Sequence, residues 1–299
     1  MRIETRGLGR SFGPVRALAG IDLAVPAGRR VGLVGPNGSG KSTLLRVVMG
    51  LLRFDGEVKV GGLDPRRERL SLAGRLAYVP QSAPALAAPV AELVRLISTV
   101  RAVPLAELDR VARALDFDLE ARAAVPFRAL SGGMKQKLLL ALALSSQAEL
   151  VVLDEPTASL DAETRERVFE LFAGLPKTVT LVLCSHRIDE MRHLIDHVVA
   201  LADGRVGFDG SAADYLRTRT RSVVEAQLRG DADTRWLGDL GFQPGVGGWW
   251  RRLVDQEQKA VLLPLLAERL SGALVDLHVR DLEATAADRK SAVEGKSVD

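Results

Sequence analysis

At 299 residues, 47% of them apolar, with 41 basic against 38 acidic side chains and a formal charge of +3, the chain has room for one large domain or a medium one with a small companion. Acids and bases are interspersed, which argues against a basic stripe for nucleic acid, and the single cysteine, Cys184, excludes an internal disulfide framework and fits a reducing compartment. The first six residues lack the apolar core of a signal peptide and no apolar run approaches the ~18–20 residues of a spanning helix, so the expectation is a soluble, cytosolic chain that would need another chain to cross a membrane.

Short apolar runs between turns predict strands over 2–7, 21–25, 31–34 and 57–60, with Asp55-Gly56 as a hairpin-type turn before the last. Between the third strand and a helix closed by Gly50 lies Gly35-Pro36-Asn37-Gly38-Ser39-Gly40-Lys41-Ser42-Thr43. It fits G-x-x-x-x-G-K-[ST] in the strand–loop–helix context that gives the pattern meaning. Its glycines let backbone N–H groups turn inward around anionic oxygens, and the following helix start adds a favourable dipole. Lys41 is placed to reach the terminal phosphates of a nucleotide, and the Ser42 hydroxyl to ligate Mg²⁺.

A further strand is expected over 75–79, ending at Pro80-Gln81. From 89 to 130 the character changes: Leu93, Leu96, Ile97 and Val100, then Leu105, Leu108, Val111 and Leu115, recur at helical spacing and predict a small helical insertion. Leu130-Ser131-Gly132-Gly133-Met134 then opens a helix with a serine cap and two glycines. Its N–H groups and dipole could serve an anion, but alone these residues read as an ordinary capped helix start.

Runs 150–153 and 179–183 are continuously apolar, as in parallel strands buried on both faces, and a helix near 162–175 between them completes a βαβ unit. Leu153-Asp154-Glu155-Pro156 ends the first run with two carboxylates. Beside a phosphate loop, Asp154 is placed to hold the Mg²⁺ water shell and Glu155 to polarise a water for attack on the terminal phosphoryl. Runs 198–201 and 205–208, joined through Asp203-Gly204, predict a hairpin. The basic stretch 217–221 marks an expected domain boundary. Strands over 222–228, 248–254 and 273–279, with helices near 233–240 and 256–270, predict a small α+β appendix containing Trp236, Trp249 and Trp250. Trp249 and Trp250 should point to opposite faces of a strand, one into the core. From about 285 the residues are small and charged without periodicity, either a disordered tail or an expression scar.

Taken together, these motifs resemble the ATP-binding subunit of an ATP-binding-cassette (ABC) transporter over roughly residues 1–216. The phosphate loop, the Leu130-Ser131-Gly132-Gly133 signature and the 150–155 carboxylate strand occur in that family's order and spacing. So do Gln81 (the Q-loop), Ser159-Leu160-Asp161 (the D-loop) and Ser185-His186 (the switch histidine). Phe12 occupies the place of an aromatic that stacks on adenine, where tyrosine is commoner. The resemblance implies a P-loop cassette with a mixed core sheet, an antiparallel β subdomain and a helical insertion at about 82–130, followed by the α+β domain at 217–284. It implies an active ATPase using ATP and Mg²⁺, with Ser42, Gln81 and Asp154 around the metal and Glu155, His186 and Gln81 serving hydrolysis. Two copies would close head to tail, Ser131, Gly132 and Gly133 of one touching the ATP on the other's phosphate loop, with Asp161 coupling the sites. The implied partners are separate transmembrane permease subunits, a second copy of the chain and a periplasmic or accessory protein, with no nucleic acid. The implied location is the cytoplasmic side of the plasma membrane.

The appendix resembles that of exporters of drugs, polysaccharide and sodium, and of nitrous-oxide-reductase maturation ATPases, although Ala284-Thr285-Ala286 departs from their usual ending. The rival reading is a soluble ABC ATPase acting on ribosomes or DNA; one cassette, no heptads and little net charge count against it. His193 and His197 are four apart, but the helix should end near Ile195, so with Glu190 they make a poor metal pair. Cys184 reads as a core thiol and His278 as a strand-face residue.

Overall fold

The computed structural model describes residues 1–185, 193–229, 234–270 and 272–283, and separates into two compact units, Met1–Ala212 and Ala213–Asp299. The first unit holds two sheets. β1 (Ile3–Phe12), β2 (Val15–Val25) and β4 (Asp55–Val60) form an antiparallel sheet in the order β2-β1-β4. The other sheet contains β3 (Arg30–Val34), β5 (Leu76–Val79), β6 (Leu150–Asp154), β7 (Thr180–Cys184), β8 (His197–Ala202) and β9 (Arg205–Ser211). Its order is β5-β6-β7-β3-β8-β9, parallel except for the antiparallel edge pair β8–β9. β6 and β7 are buried along their whole length, which is why they read as unbroken apolar runs.

Helix α1 (Lys41–Val48) joins the two sheets. Its Leu44, Leu45, Val47 and Val48 share one core with Ile3, Ile21 and Val58 of the antiparallel sheet and with Leu33, Val152 and Val182 of the parallel one. Around this core lie α2 (Arg69–Arg75), α3 (Val90–Arg101), α4 (Leu105–Ala114), α5 (Gly132–Ser145) and α6 (Ala162–Ala173).

Three local expectations change. Strands β1 and β2 are about twice the expected length, because register shifts and the positive-φ glycines Gly7 and Gly20 break the alternation, so that the buried Leu8, Leu18 and Ala19 carry no strand pattern. Asp55-Gly56 is no hairpin turn: both residues lie inside β4, which pairs with β1 and not with its sequence neighbour. Gly56 (φ 83°) sits at a register shift where a Cβ would fall 2.5 Å from the Gly7 carbonyl oxygen, so the glycine serves a close strand approach. Helix α2, seven residues with a single buried apolar side chain, gave no periodic signal. The Asp203-Gly204 turn does form the expected two-residue hairpin, both residues at positive φ.

The basic stretch 217–221 is continuous structure: it finishes α7 (Ala212–Arg219) and starts β10 (Thr220–Leu228). The second unit continues with α8 (Arg235–Asp239), β11 (Gln243–Pro244), β12 (Trp249–Asp255), α9 (Gln256–Arg269) and β13 (Leu274–Glu283). Its sheet order, β11-β12-β10-β13 with all neighbours antiparallel, is a βαββαβ arrangement of the ferredoxin-like, split βαβ kind. Leu237 of α8 and Leu262, Leu266 and Leu270 in and after α9 bury against Val224, Ala226 and Val254. Trp250 packs on that core, while Trp249 lies 5.3 Å from the His278 ring. The expected tail at 285–299 lies outside the described residues.

Candidate nucleotide site

In a parallel sheet the carboxyl ends of the strands gather whatever the following loops carry. Here β3 delivers the phosphate loop, β5 delivers Gln81, and β6 delivers Asp154 and Glu155. β7, between β6 and β3, ends at Cys184 and Ser185. His186 lies outside the described residues.

The loop itself is held from behind. A Cβ on Gly35 (φ 144°) would lie 2.2 Å from the Leu201 carbonyl oxygen, and one on Gly40 (φ 103°) 2.5 Å from that of Ala17. No side chain fits at either position: carbonyls of β8 and β2 stand nearest, with the Leu18 side chain 3.0 Å from the Gly40 position. The β8–β9 turn adds a tether: the Gly204 N–H donates to the Ser39 carbonyl at 3.2 Å, and the Gly204 carbonyl accepts from the Ala19 N–H at 2.8 Å. Gly38 (φ 81°) has open space around it, and Pro36, Asn37 and Gly38 are exposed at the loop's tip.

Lys41 Nζ donates to the carbonyls of Gly35 (2.7 Å) and Pro36 (3.0 Å), so its charge is folded over the loop's mouth. Ser42 Oγ donates to Asp154 Oδ2 at 3.3 Å, joining α1 to the end of β6. Thr43 follows in the first turn of α1, half-buried. Asp154 is buried, and its charge acts on two neighbours. Burial pushes the Cys184 thiol above its usual range, with Asp154 adding to the shift. Burial likewise raises the Tyr78 hydroxyl, again reinforced by Asp154. Cys184 pairs with Asp154 across β6–β7 and is buried, the core thiol its apolar surroundings predict. Glu155 leaves the strand at φ 47°, an uncommon conformation for a side-chain-bearing residue, while its N–H donates to the Cys184 carbonyl at 2.8 Å. Gln81 is exposed two residues beyond Val79, which pairs with Leu153.

These residues fit a nucleotide phosphate chain and a hard divalent cation. Ser39 Oγ is buried with no hydrogen-bond partner, and the glycine cradle, Lys41 and the start of α1 all offer donors or positive charge at one mouth. The Ser42 hydroxyl and Asp154 carboxylate are oxygen donors of the kind Mg²⁺ takes alongside phosphate oxygens and water. Among the described residues no cluster of three or more His, Cys, Asp or Glu could hold a metal unaided.

Phe12 ends β1, 44% exposed, with the Arg10 guanidinium 4.6 Å from its ring centroid. Ser131 caps α5, its Oγ accepting from the Met134 N–H at 3.2 Å, and Ser131 and Gly132 are exposed. Gly133 lies against the Ser159 carbonyl, where a Cβ would come to 3.2 Å. Asp161 caps α6: its carboxylate accepts from the Thr164 N–H (2.8 Å) and Oγ1 (3.0 Å), which holds it below the usual carboxylate range. Sequence reasoning missed Gln136, whose buried Nε2 donates to the Pro156 carbonyl at 2.9 Å and ties the signature helix to the loop after Glu155. Flanked by Lys135 and Lys137, it carried the signal of a solvated helix face. The walls at Ala17, Leu201 and Gly204 carried none. His197 starts β8 and pairs with Asp209 at 2.5 Å; Glu190, the third member of the weighed metal set, lies outside the described residues.

Residues 18–158 match the family model described as ABC transporter. The methionine import ATP-binding protein MetN of Caulobacter vibrioides is 34% identical, the alignment covering 88% of this chain and 80% of the relative. The daunorubicin/doxorubicin resistance ATP-binding protein DrrA of Streptomyces peucetius is 31% identical, over 80% of this chain and 76% of the relative. A solved structure described as an ATP binding subunit of an ABC transporter superposes with a TM-score of 0.65 at 25% identity, covering 73% of this chain and 92% of that one. The phosphate loop, the carboxylate-ended strand and these relatives agree: the chain belongs to the ABC transporter family, as an ATP-binding subunit that hydrolyses ATP.

Proposed function

We propose that this subunit drives an exporter whose membrane-spanning parts are separate chains, by closing head to tail with a second copy over two ATP molecules. The observation that carries the reading is an asymmetry: the phosphate loop and carboxylates are built and walled at the carboxyl end of one sheet, while Ser131 and Gly132 stand exposed at a helix start. The exposed helix start is suited to complete a site on another molecule.

In this reading Lys41 and the N–H groups of 35–43 hold the β- and γ-phosphates, and Phe12 offers its free face to adenine. Ser42 and Asp154 would hold Mg²⁺, with Gln81 beside them; when bound, the ion neutralises charge developing on the phosphate oxygens. Glu155 accepts a proton from the attacking water, its left-handed backbone turning it out of the strand line. His186 is assigned to the γ-phosphate and Asp161 to coupling between the two sites, both from the family pattern. Ser131, Gly132 and Gly133 add N–H donors and the start of α5 to the opposite ATP.

For the membrane partner, an apolar groove of ≈ 370 Å³ is lined by Leu51, Leu72, Tyr78, Ile97, Leu139 and Leu142, with Arg69 and Arg101 also on its wall. A short helix from a transmembrane subunit fits that chemistry. No helix among the described residues is long and apolar enough to cross a membrane, and the proposed place of work is the cytoplasmic face, held there by the partner. Export rests on the appendix: the alignment with the drug-resistance relative spans 80% of the chain, more than the 212 residues of the first unit. The methionine-import relative aligns as far, so direction is tested by transport into inside-out vesicles, where an exporter loads cargo on addition of ATP. For the two-copy mechanism the test is Glu155→Gln with ATP and Mg²⁺: a stable dimer by sizing is expected, and a monomer at all nucleotide concentrations would overturn it.

A further inference from the structure

The sheet of the second unit treats its two edges differently. β11, at one edge, is two residues long and contains Pro244, which has no N–H to offer. Short strands and prolines are how proteins blunt an edge. β13, at the other edge, runs ten residues without a proline, and among the described residues only its β10 side is paired. Val275 and Val279 on this strand are 57% and 37% exposed, although Val279 lies opposite the fully buried Val224. An open, unblunted edge of this length is a template for another strand.

The residue order says which strand fits. Side chains alternate, so Leu277 and Val279 share the face of Ala226 and Val224, while Asp276, His278 and Arg280 share the other. If β13 pairs antiparallel with its own copy about His278, Asp276 faces Arg280 of the second copy and Arg280 faces Asp276. On the helix-covered face Leu277 then meets Val279. Every charge in that span meets its opposite and every apolar residue meets another, the pairings that stabilise adjacent strands. Centred one residue later, on Val279, the same strand would set His278 against Arg280 and give Asp276 no basic partner.

We infer that β13 is a seam through which the second units of two copies join into one continuous sheet. The inference rests on the proposed two-copy mechanism for bringing the chains together, but the seam itself requires no nucleotide. Within one chain Asp276 and Arg280 already have partners, His278 at 3.0 Å and Glu225 at 3.0 Å, so the test must separate loss of those pairs from loss of the seam.

Mixing does that. Self-association of the full chain is measured by sedimentation without nucleotide, and Asp276→Arg and Arg280→Asp are each expected to weaken it roughly tenfold or more, since each sets like charges opposite one another twice. An equal mixture of the two variants restores opposite charges at both pairs, so association returns although neither chain has regained its internal partner. Independently, His278→Cys on the axis should give an oxidant-driven crosslink between copies, which Arg251→Cys on β12 should not; the native Cys184 is buried. A wild-type chain that stays monomeric at every concentration, a mixture no tighter than the single variants, or His278→Cys crosslinking no faster than Arg251→Cys would overturn the seam. Because Glu155→Gln placed in an Asp276→Arg chain reports the ATP-dependent dimer with the seam already broken, a failed seam with an intact ATP dimer leaves the proposed function standing, and the reverse result would refute that function alone.

Discussion

The phosphate loop and the signature segment both place glycines before a helix start, and they differ in what surrounds those glycines. At Gly35 and Gly40 a single added carbon would collide with backbone carbonyls from β8 and β2, and Ser39 behind them is buried. At Gly132 an added carbon meets nothing within 4 Å, and the residue is exposed at the first position of α5. One is a preformed cradle whose shape is fixed inside this chain. The other is a surface whose bareness has no internal cause, which is what a segment presented to a second molecule requires.

That contrast can be broken experimentally. The largest effect is expected from Glu155→Gln, which keeps the cradle and removes the base: kcat should fall on the order of 10²–10⁴-fold with ATP binding retained, read by phosphate release against nucleotide binding. Gly35→Ala strikes the cradle itself. The overlap with Leu201 and the φ of 144° should cost about 1–3 kcal/mol of stability and abolish nucleotide binding, seen as a lowered Tm that ATP no longer raises. Ser131→Arg should leave ATP affinity of the monomer within about twofold, because the serine's bond in this chain is only a cap, while ATP-dependent dimerisation and hydrolysis are lost. Equal loss of monomer affinity would erase the distinction between the two segments.

A sharper test is Gly132→Ala. Alanine is a better helix residue than glycine, so the isolated chain should gain up to about 1 kcal/mol, yet ATPase activity should drop. Stability and activity moving together would contradict a role outside the chain. The smallest effect is expected from Phe12→Ala, a rise in KM for ATP of roughly 3–10-fold with kcat little changed, since one stacked ring is worth about 0.5–1.5 kcal/mol.

Much of the site was legible because its chemistry is written in consecutive residues. Gly35–Thr43 and Asp154-Glu155 each sit on one loop at a strand's carboxyl end, where local sequence and position in the fold coincide. The parallel strands were legible for a related reason: burial on both faces leaves unbroken apolar runs. Where burial is one-sided or absent, the reading faltered. The added halves of β1 and β2 lie across bulges at Gly7 and Gly20 that break the alternation, α2 had no periodicity to find, and Asp55-Gly56 carried the signal of a turn while serving a close contact between β4 and β1.

What the amino-acid sequence determined by itself is therefore the local chemistry: a glycine-rich phosphate loop, a strand ending in two carboxylates and a capped helix start, in a recognisable order. What only the tertiary structure decided is which backbone stands behind each of them. The Ala17 and Leu201 carbonyls and the Gly204 tether come from segments 23 or more residues away in sequence from the loop residues they support, and they act through main-chain atoms. The same holds for the second unit, where β13 is an edge strand among the described residues only because three other strands fill the sheet on its β10 side. Backbone contacts and sheet edges leave almost no trace in side-chain identity, so folding alone reveals them.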